Sequence, residues 1–155
     1  MAENIIEISF SGTHNNGEID LSGSPKALQY IGQLILNLIN DREQVICVVE
    51  AAIFDPSPYN LCLKSLSICK SNTLIKILVL ANSLYIQGSQ DTLAIFASWL
   101  IDFDDTWCRH HRHIDYYEGN EWIDPRAIPL VISVKNAIDR KKISQSGFLG
   151  CQRMK

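Results

Sequence analysis

The feature that most constrains this chain is a pattern of hydrophobic and turn residues that occurs twice. In the second half, a hydrophobic pair leads into a Gly-Ser step at 88–89, and a helical run and two strand-like segments follow. The first half has the same elements in the same order around a Gly-Ser step at 23–24. Elements that recur in one order at nearly constant spacing are typical of a duplicated supersecondary unit. The sequence therefore predicts two repeats, residues 1–69 and 70–138.

The spacing of matching residues supports this duplication. Matching pairs lie 65 or 69 positions apart: Gly23 and Gly88, Leu28 and Leu93, Asp55 and Asp124, Leu61 and Leu130. The change from 65 to 69 falls within the segment that runs from the helix to the following strand. We therefore interpret the two halves as copies of one unit.

Each repeat is predicted to contain two strands, a helix and two further strands. Residues 4–11 alternate between hydrophobic and polar side chains, which is the period of a strand with one buried side. Ser24-Pro25 is typical of a helix start, because the hydroxyl caps a free N–H and proline fits the first helical position. This order predicts an α+β fold of two tandem β-β-α-β-β repeats, with antiparallel sheets that each carry one packed helix and a pseudo-twofold axis between them. We expect residues 1–138 to form a single domain.

The segment 45–50 is nearly all hydrophobic, with Glu50 as its one charged residue. Strands of that composition are typical of central sheet positions, where neighbouring layers cover both faces. We therefore predict that this segment is a central strand.

The chain is slightly acidic and its charge is unevenly distributed. Its net charge of −3 argues against sequence-independent nucleic-acid binding, because such binding needs a basic surface. Residues 139–155 carry a net charge of +4 without hydrophobic periodicity, which predicts a polar basic tail. Residues 102–124 carry a net charge of −5. That segment is either a solvated loop face or a surface that attracts a basic partner.

The sequence favours a cytoplasmic protein without a membrane segment. Its N-terminus lacks the basic lead and hydrophobic core of a signal peptide. No hydrophobic run reaches the roughly 18–20 residues that cross a bilayer. An odd number of cysteines without Cys-x-x-Cys spacing favours reduced thiols over disulfides or a zinc site. The five are Cys47, Cys62, Cys69, Cys108 and Cys151.

The strongest candidate site is the strand-like segment 110–117. Alternate side chains of a strand share one face, which places His111, His113, Asp115 and Tyr117 together. Imidazole and carboxylate groups suit zinc or iron, so a metal- or small-ligand-binding protein is one alternative. However, same-face positions of a straight strand lie about 6–7 Å apart, and three ligands rarely converge from them. We therefore predict no metal and no cofactor.

The chain lacks the motifs of a catalytic site. It has no nucleophile elbow, no metalloprotease helix and no phosphate-binding glycine loop. His113 beside Asp115 or Glu118 could transfer protons, but no other part of a mechanism accompanies them. We therefore predict no catalytic residues and no enzymatic activity.

Aromatic and acidic residues after this segment indicate a protein-binding surface instead. Tyr117 and Trp122 flank an acidic turn. Exposed aromatic side chains beside charges are typical anchors of protein interfaces. The predicted partner-binding residues are His111, His113, Asp115, Tyr117, Glu118, Glu121 and Trp122.

Two motifs resemble a family of bacterial immunity proteins, immunity protein thirty-two, whose members are encoded beside polymorphic toxins. The first motif is Leu21-Ser22-Gly23-Ser24-Pro25-x-x-Leu28. The second is His111-Arg112-His113-Ile114-Asp115-Tyr116-Tyr117, followed by Asp124-Pro125 and Pro129-Leu130-Val131-Ile132. The resemblance implies a stoichiometric inhibitor that binds a toxin domain and has no catalysis of its own. An acidic inhibitor would associate fastest with a basic toxin domain.

A third interpretation is a structural scaffold that forms oligomers through an exposed edge strand. Both a monomer and a homodimer are compatible with the sequence.

Overall fold

The structure, a computed structural model, describes residues 4–13, 16–103 and 111–135. The predicted basic tail at 139–155 lies outside these ranges, as do residues 104–110, which form part of the predicted acidic segment. In chain order the elements are β1 (Ile6–Thr13), β2 (Asn16–Gly23), α1 (Pro25–Asn40), β3 (Ile46–Glu50), β4 (Leu61–Leu63), β5 (Ser65–Lys70), β6 (Lys76–Leu80), β7 (Ser83–Gly88), α2 (Gln90–Ile101), β8 (His111–Ile114) and β9 (Leu130–Val134). Neither helix of the described ranges is long and hydrophobic enough to span a membrane.

The fold is α+β, as predicted, but its two sheets are mixed. The five-stranded sheet has the order β4-β1-β2-β9-β8, and the four-stranded sheet has the order β3-β5-β7-β6. Strands β2 and β9 pair in parallel, and so do β5 and β7. Each parallel pair joins one half of the chain to the other. The prediction of antiparallel sheets within each repeat is therefore wrong, because periodicity identifies a strand without identifying its neighbour.

Both helices begin at a serine cap, as the Ser24-Pro25 step predicts for the first. The Ser24 hydroxyl accepts from the Ala27 N–H at 3.1 Å, and Pro25 occupies the first helical turn. The Ser89 hydroxyl accepts from the Thr92 N–H at 3.2 Å. Each serine satisfies one of the N–H groups that a helix start leaves without a backbone partner.

One hydrophobic core joins the two sheets and the two helices. Helix α1 packs against α2, and their backbones approach closely at Gly32. A Cβ atom at Gly32 would lie 2.7 Å from Ile101 Cγ1 and 3.0 Å from the Ala97 carbonyl oxygen. The fully buried helix residues include Leu28, Ile31, Ile35, Leu93, Phe96 and Leu100.

Strand β3 lies at an edge of the four-stranded sheet, so the prediction of a central strand at 45–50 is wrong. Among the described strands it pairs with β5 alone, and Ile46, Val48 and Glu50 are exposed. Hydrophobic composition alone does not establish burial, because much of a folded surface is apolar.

The sequence match between Leu61 and Leu130 does not correspond to equivalent positions in the sheets. Leu61 lies in β4, which pairs antiparallel with β1, whereas Leu130 lies in β9, which pairs parallel with β2. The spacing of 69 between these two leucines therefore does not reflect a shared structural role.

Candidate protein-binding site

The candidate site is built on β8, an edge strand of the five-stranded sheet. His111 and His113 lie on its outer face and are both exposed, whereas Ile114 is buried. The two imidazole rings contact edge to face, with centroids 4.9 Å apart. Because β8 ends at Ile114, Asp115 and Tyr117 lie in the following loop and not on the predicted strand face.

Arg112 attaches β8 to α2 from the inner side of the strand. Its guanidinium carbon lies 5.3 Å from the Trp99 ring centroid and 5.7 Å from the Phe103 ring centroid. A guanidinium over aromatic rings at this range is attracted by the ring quadrupoles. This contact leaves the outer face of β8 to the two histidines.

The loop after β8 exposes its side chains while its end is held to the core. Tyr117 is 65% exposed and Tyr116 is 38% exposed. Asn120 is buried, donates its N–H to the Tyr117 carbonyl at 3.0 Å and accepts from the Trp122 N–H at 3.1 Å. The Trp122 carbonyl then accepts from the Ile75 N–H at 2.9 Å. Tyr117 is therefore presented on a loop that is fixed immediately after it.

Trp122 differs from the other predicted partner-binding residues because it is partly buried. Its ring meets the Trp99 ring edge to face, with centroids 4.5 Å apart, and packs against the hydrophobic core. By contrast, the remaining six are all exposed: His111, His113, Asp115, Tyr117, Glu118 and Glu121. Trp122 therefore attaches the loop to the hydrophobic core.

Beside β8, the outer side of the five-stranded sheet carries polar residues from both halves of the chain. We call this side the polar face. Its residues are Glu7, Ser9, Asp20, Ser22, His111, His113 and Ser133. His111 is paired with Ser133 across β8 and β9, and Ser133 with Ser22 across β9 and β2. Lys135, which follows β9, binds Glu7 with 3.0 Å between Nζ and Oε2. The parallel pairing of β2 with β9 is what places these residues on one side of the sheet, where Ser9 and Ser22 are buried.

Asp20 is a partly buried acidic group of the polar face. Its Oδ2 accepts from the Ser133 hydroxyl at 3.2 Å, while Oδ1 is buried and no described residue donates to it. Burial raises the pKa of Asp20, and the Ser133 hydrogen bond and the Lys135 charge oppose that rise. Asp20 therefore holds its negative charge at an energetic cost.

Glu18 adds a second acidic group next to Asp20. The Tyr59 hydroxyl donates to Glu18 Oε1 at 3.4 Å. Partial burial, together with the charges of Asp20 and Glu18, raises the pKa of Tyr59 to about 12. The tyrosine therefore stays a neutral donor at physiological pH.

An open cavity of about 290 Å³ lies beside the start of β9, between the first residues of β2 and the end of β8. Three segments line it: Gly17 and Glu18 of β2, His113 of β8 with Asp115 of its loop, and Leu130 and Val131 of β9 with the preceding Pro129. The structure thus brings the predicted residues His113 and Asp115 together with Glu18, which the sequence analysis missed. Glu18, Asp20 and Ser22 do alternate with hydrophobic residues, but that pattern does not say which strand lies beside them.

The alternative of a metal-binding strand gains no support from this geometry. Within the described ranges, no group of three histidine, cysteine, aspartate or glutamate side chains is placed to hold a metal ion. His111, His113 and Asp115 therefore do not form a ligand set.

Comparison with known proteins gives a match to a protein family. No curated protein and no solved structure matched the chain. The model of a family described as Immunity protein 32 matches residues 83–135, which contain β7, α2, β8 and β9. The first-half motif at 21–28 lies outside the matched region. This match confirms the resemblance to that immunity-protein family.

Proposed function

We propose that this chain is an immunity protein that binds a cognate toxin and neutralises it without catalysis. The observation that carries the proposal is the family match at residues 83–135. That region contains all seven predicted partner-binding residues, and six of them are exposed. An inhibitor of this kind acts by occupying a surface of its partner, so its site needs exposed anchors and no catalytic group.

The proposed contact surface comprises the outer side of β8 and the loop 115–121. Tyr117 is the natural anchor, because a large exposed aromatic side chain gives contact area at a low entropic cost. Asp115, Glu118 and Glu121 surround it with negative charge, and all three are exposed. A partner with a basic surface would be attracted to this loop.

The acidic surroundings predict a marked effect of salt on complex formation. Solvent-exposed charges are screened over about 8–10 Å at ordinary ionic strength. The association rate should therefore fall as salt is added, while dissociation, which depends on the close contacts of Tyr117, should change less.

The test is capture of the partner from cells that produce this chain. Tagged wild-type protein, a Tyr117→Ala variant and a Glu118→Lys variant serve as bait, and mass spectrometry identifies the bound proteins. Tyr30→Ala is the matched control, because Tyr30 is an exposed tyrosine on α1 and belongs neither to β8 nor to the loop 115–121. The wild type and the control are expected to capture one protein that both site variants lose.

The captured protein must then behave as a toxin. Its expression alone should arrest growth, and co-expression of wild-type immunity protein should restore growth. Capture of a harmless protein would contradict the proposed function. Equal capture by wild type and by both site variants would contradict the proposed surface.

We also propose that residues 1–138 form one domain of two repeats that exchange their last strands. The pairing registers support this architecture. Ile19 pairs with Leu130 in one sheet, and Leu84 pairs with Leu66 in the other. Ile19 and Leu84 lie 65 positions apart, and Leu66 and Leu130 lie 64 apart. With these offsets, each hairpin of one repeat pairs with the last strands of the other.

Separate expression of the two halves tests this exchange of strands. Residues 1–72 and 73–155 should each remain unfolded alone, because each half lacks strands that complete its sheet. Mixed together, they should regain the far-UV circular dichroism of the intact chain. A half that folds cooperatively by itself would contradict the proposal.

A further inference from the structure

At the outer edge of β3, the backbone groups have no partner strand within the described ranges, although the Ile46 carbonyl accepts from the Gln44 side-chain amide of its own chain at 3.1 Å. The Val45 carbonyl accepts from the Lys70 N–H, and the Ala51 N–H donates to the Lys64 carbonyl, each at 2.9 Å. Odd-numbered residues of this segment therefore direct their backbone groups to β5. Because these groups alternate sides along an antiparallel strand, those of Ile46, Val48 and Glu50 point away from the sheet.

The side chains at this edge are hydrophobic and exposed. Val48 is 57% exposed and Ile46 is 45% exposed. Natural edge strands are commonly protected by lysine, proline, a bulge or a covering segment. Strand β3 contains no lysine, proline or bulge. At the opposite edge of the same sheet, by contrast, β6 is covered, since the Ile128 N–H donates to the Ile77 carbonyl at 3.0 Å.

We propose that β3 pairs antiparallel with β3 of a second copy of this chain and forms a twofold-symmetric dimer. In the proposed register, Ile46 of each copy lies opposite Val48 of the other. The twofold axis makes this hydrophobic contact occur twice. The two four-stranded sheets then become one sheet of eight strands.

Charge complementarity favours a second copy as the partner, and it favours this register over one with Val48 opposite itself. Glu50 is the one charged residue of β3, and in this register it lies opposite Gln44 of the second copy, with Arg42 of that copy in the bend just before Gln44. Gln44 Nε2 donates one N–H to the Ile46 carbonyl of its own chain at 3.1 Å, which leaves the second N–H for the carboxylate, beside the Arg42 cation. A register with Val48 opposite itself would instead place Glu50 opposite Ile46, which offers the carboxylate no donor.

The same register places Cys47 next to Cys47 of the second copy. Directly opposite residues that are not hydrogen-bonded to each other have Cα atoms about 4.5 Å apart in an antiparallel pair. A disulfide spans Cα separations of about 4.4–6.8 Å. Cys47 is a partly buried free thiol. A disulfide between the Cys47 residues of two copies would therefore report this register without any engineered cysteine.

Sedimentation velocity of the full chain under reducing conditions, over a range of concentrations, tests the dimer. We expect a reversible monomer–dimer equilibrium that Val48→Lys weakens by roughly tenfold or more, because the charge enters the interface from both copies. Leu80→Lys is the matched control, since Leu80 is an exposed hydrophobic residue at the end of β6 in the same sheet. It should leave the equilibrium unchanged. Circular dichroism and the melting temperature check that each variant is folded.

Oxidative cross-linking tests the register. Copper–phenanthroline and oxygen accept the two electrons and two protons that two thiols lose as they form a disulfide. A covalent dimer should form in the wild type and in Cys69→Ser, and should be absent in Cys47→Ser. A chain that stays monomeric at all concentrations, a dimer that persists in Val48→Lys, or a covalent dimer formed through another cysteine would each overturn the proposal. These measurements need no toxin, so they stand apart from the proposed function.

Discussion

Tyr117 and Trp122 lie in one loop, but we expect Tyr117 to bind the partner and Trp122 to stabilise the fold. Single substitutions can separate these two roles. Tyr117 is 65% exposed, whereas Trp122 packs on Trp99 and on the core. Tyr117→Ala should therefore abolish partner binding at almost no cost in stability. Trp122→Ala should lower the stability of the free protein, whatever its effect on binding.

The magnitudes follow from burial. Truncation of a fully buried tryptophan to alanine costs about 3–5 kcal/mol, and Trp122 is partly exposed, so we expect about 2–3 kcal/mol. The edge-to-face contact with Trp99 supplies about 0.5–1.5 kcal/mol of that loss. For a chain of this size, the melting temperature should fall by about 5–10 °C. Tyr117→Ala should stay within about 0.5 kcal/mol of the wild type.

Chemical denaturation followed by far-UV circular dichroism measures both variants without relying on tryptophan fluorescence. A double-mutant cycle with Trp99→Ala isolates the contact between the rings, and its coupling free energy should be about 0.5–1.5 kcal/mol. An unchanged midpoint for Trp122→Ala, or a vanishing coupling free energy, would refute the assignment of Trp122 to the core. Strong destabilisation by Tyr117→Ala would refute the separation of the two roles.

Three further predictions concern other parts of the fold. Because burial raises the pKa of Asp20, its charge destabilises the folded state at neutral pH. We therefore expect the melting temperature of Asp20→Asn minus that of the wild type to increase between about pH 4, where a free aspartate titrates, and pH 7. A difference that is the same at every pH would contradict this. Ala81 has a φ of +50° in the turn between β6 and β7, so Ala81→Asn should stabilise the protein by roughly 0.5 kcal/mol in urea denaturation, since asparagine tolerates this conformation. Ser24→Ala and Ser89→Ala should each cost about 1 kcal/mol in the same assay through loss of the helix caps, and neutral substitutions would contradict that role.

Local features of the fold were predictable because local interactions determine them. The helix starts at Ser24 and Ser89 follow from hydroxyl capping, and the two hairpins follow from alternation around short turns. Strand neighbours are a different matter. Strands β2 and β9 are separated by more than 100 residues, and nothing in either segment identifies the other. The parallel pairs could therefore not be predicted from periodicity.

The same limit applies to the candidate site. His111 and His113 were predictable because they alternate on one strand. Asp20 reaches the polar face through a pairing between residues far apart in sequence, as its hydrogen bond to Ser133 shows. The exposure of Val48 was not predicted for another reason. A hydrophobic strand can have the same sequence pattern at the centre and at the edge of a sheet.

In the proposed repeats, β3 and β8 are equivalent edge strands. Their exposed residues differ in polarity, and this difference would keep the proposed dimer interface apart from the proposed partner-binding site. Val48 pairs with Ser67, and His113 pairs with Val131, each in the antiparallel contact that ends its sheet. When β3 pairs with β3 of a second copy, the isoleucine and valine side chains of both strands are buried against each other, which is favourable. Pairing β3 with β8 instead would set hydrophobic side chains against imidazoles and remove water from them without providing a hydrogen-bond partner. That cost is specific to the mismatched pair. The histidine edge therefore stays available for a partner of different chemistry while the hydrophobic edge is occupied.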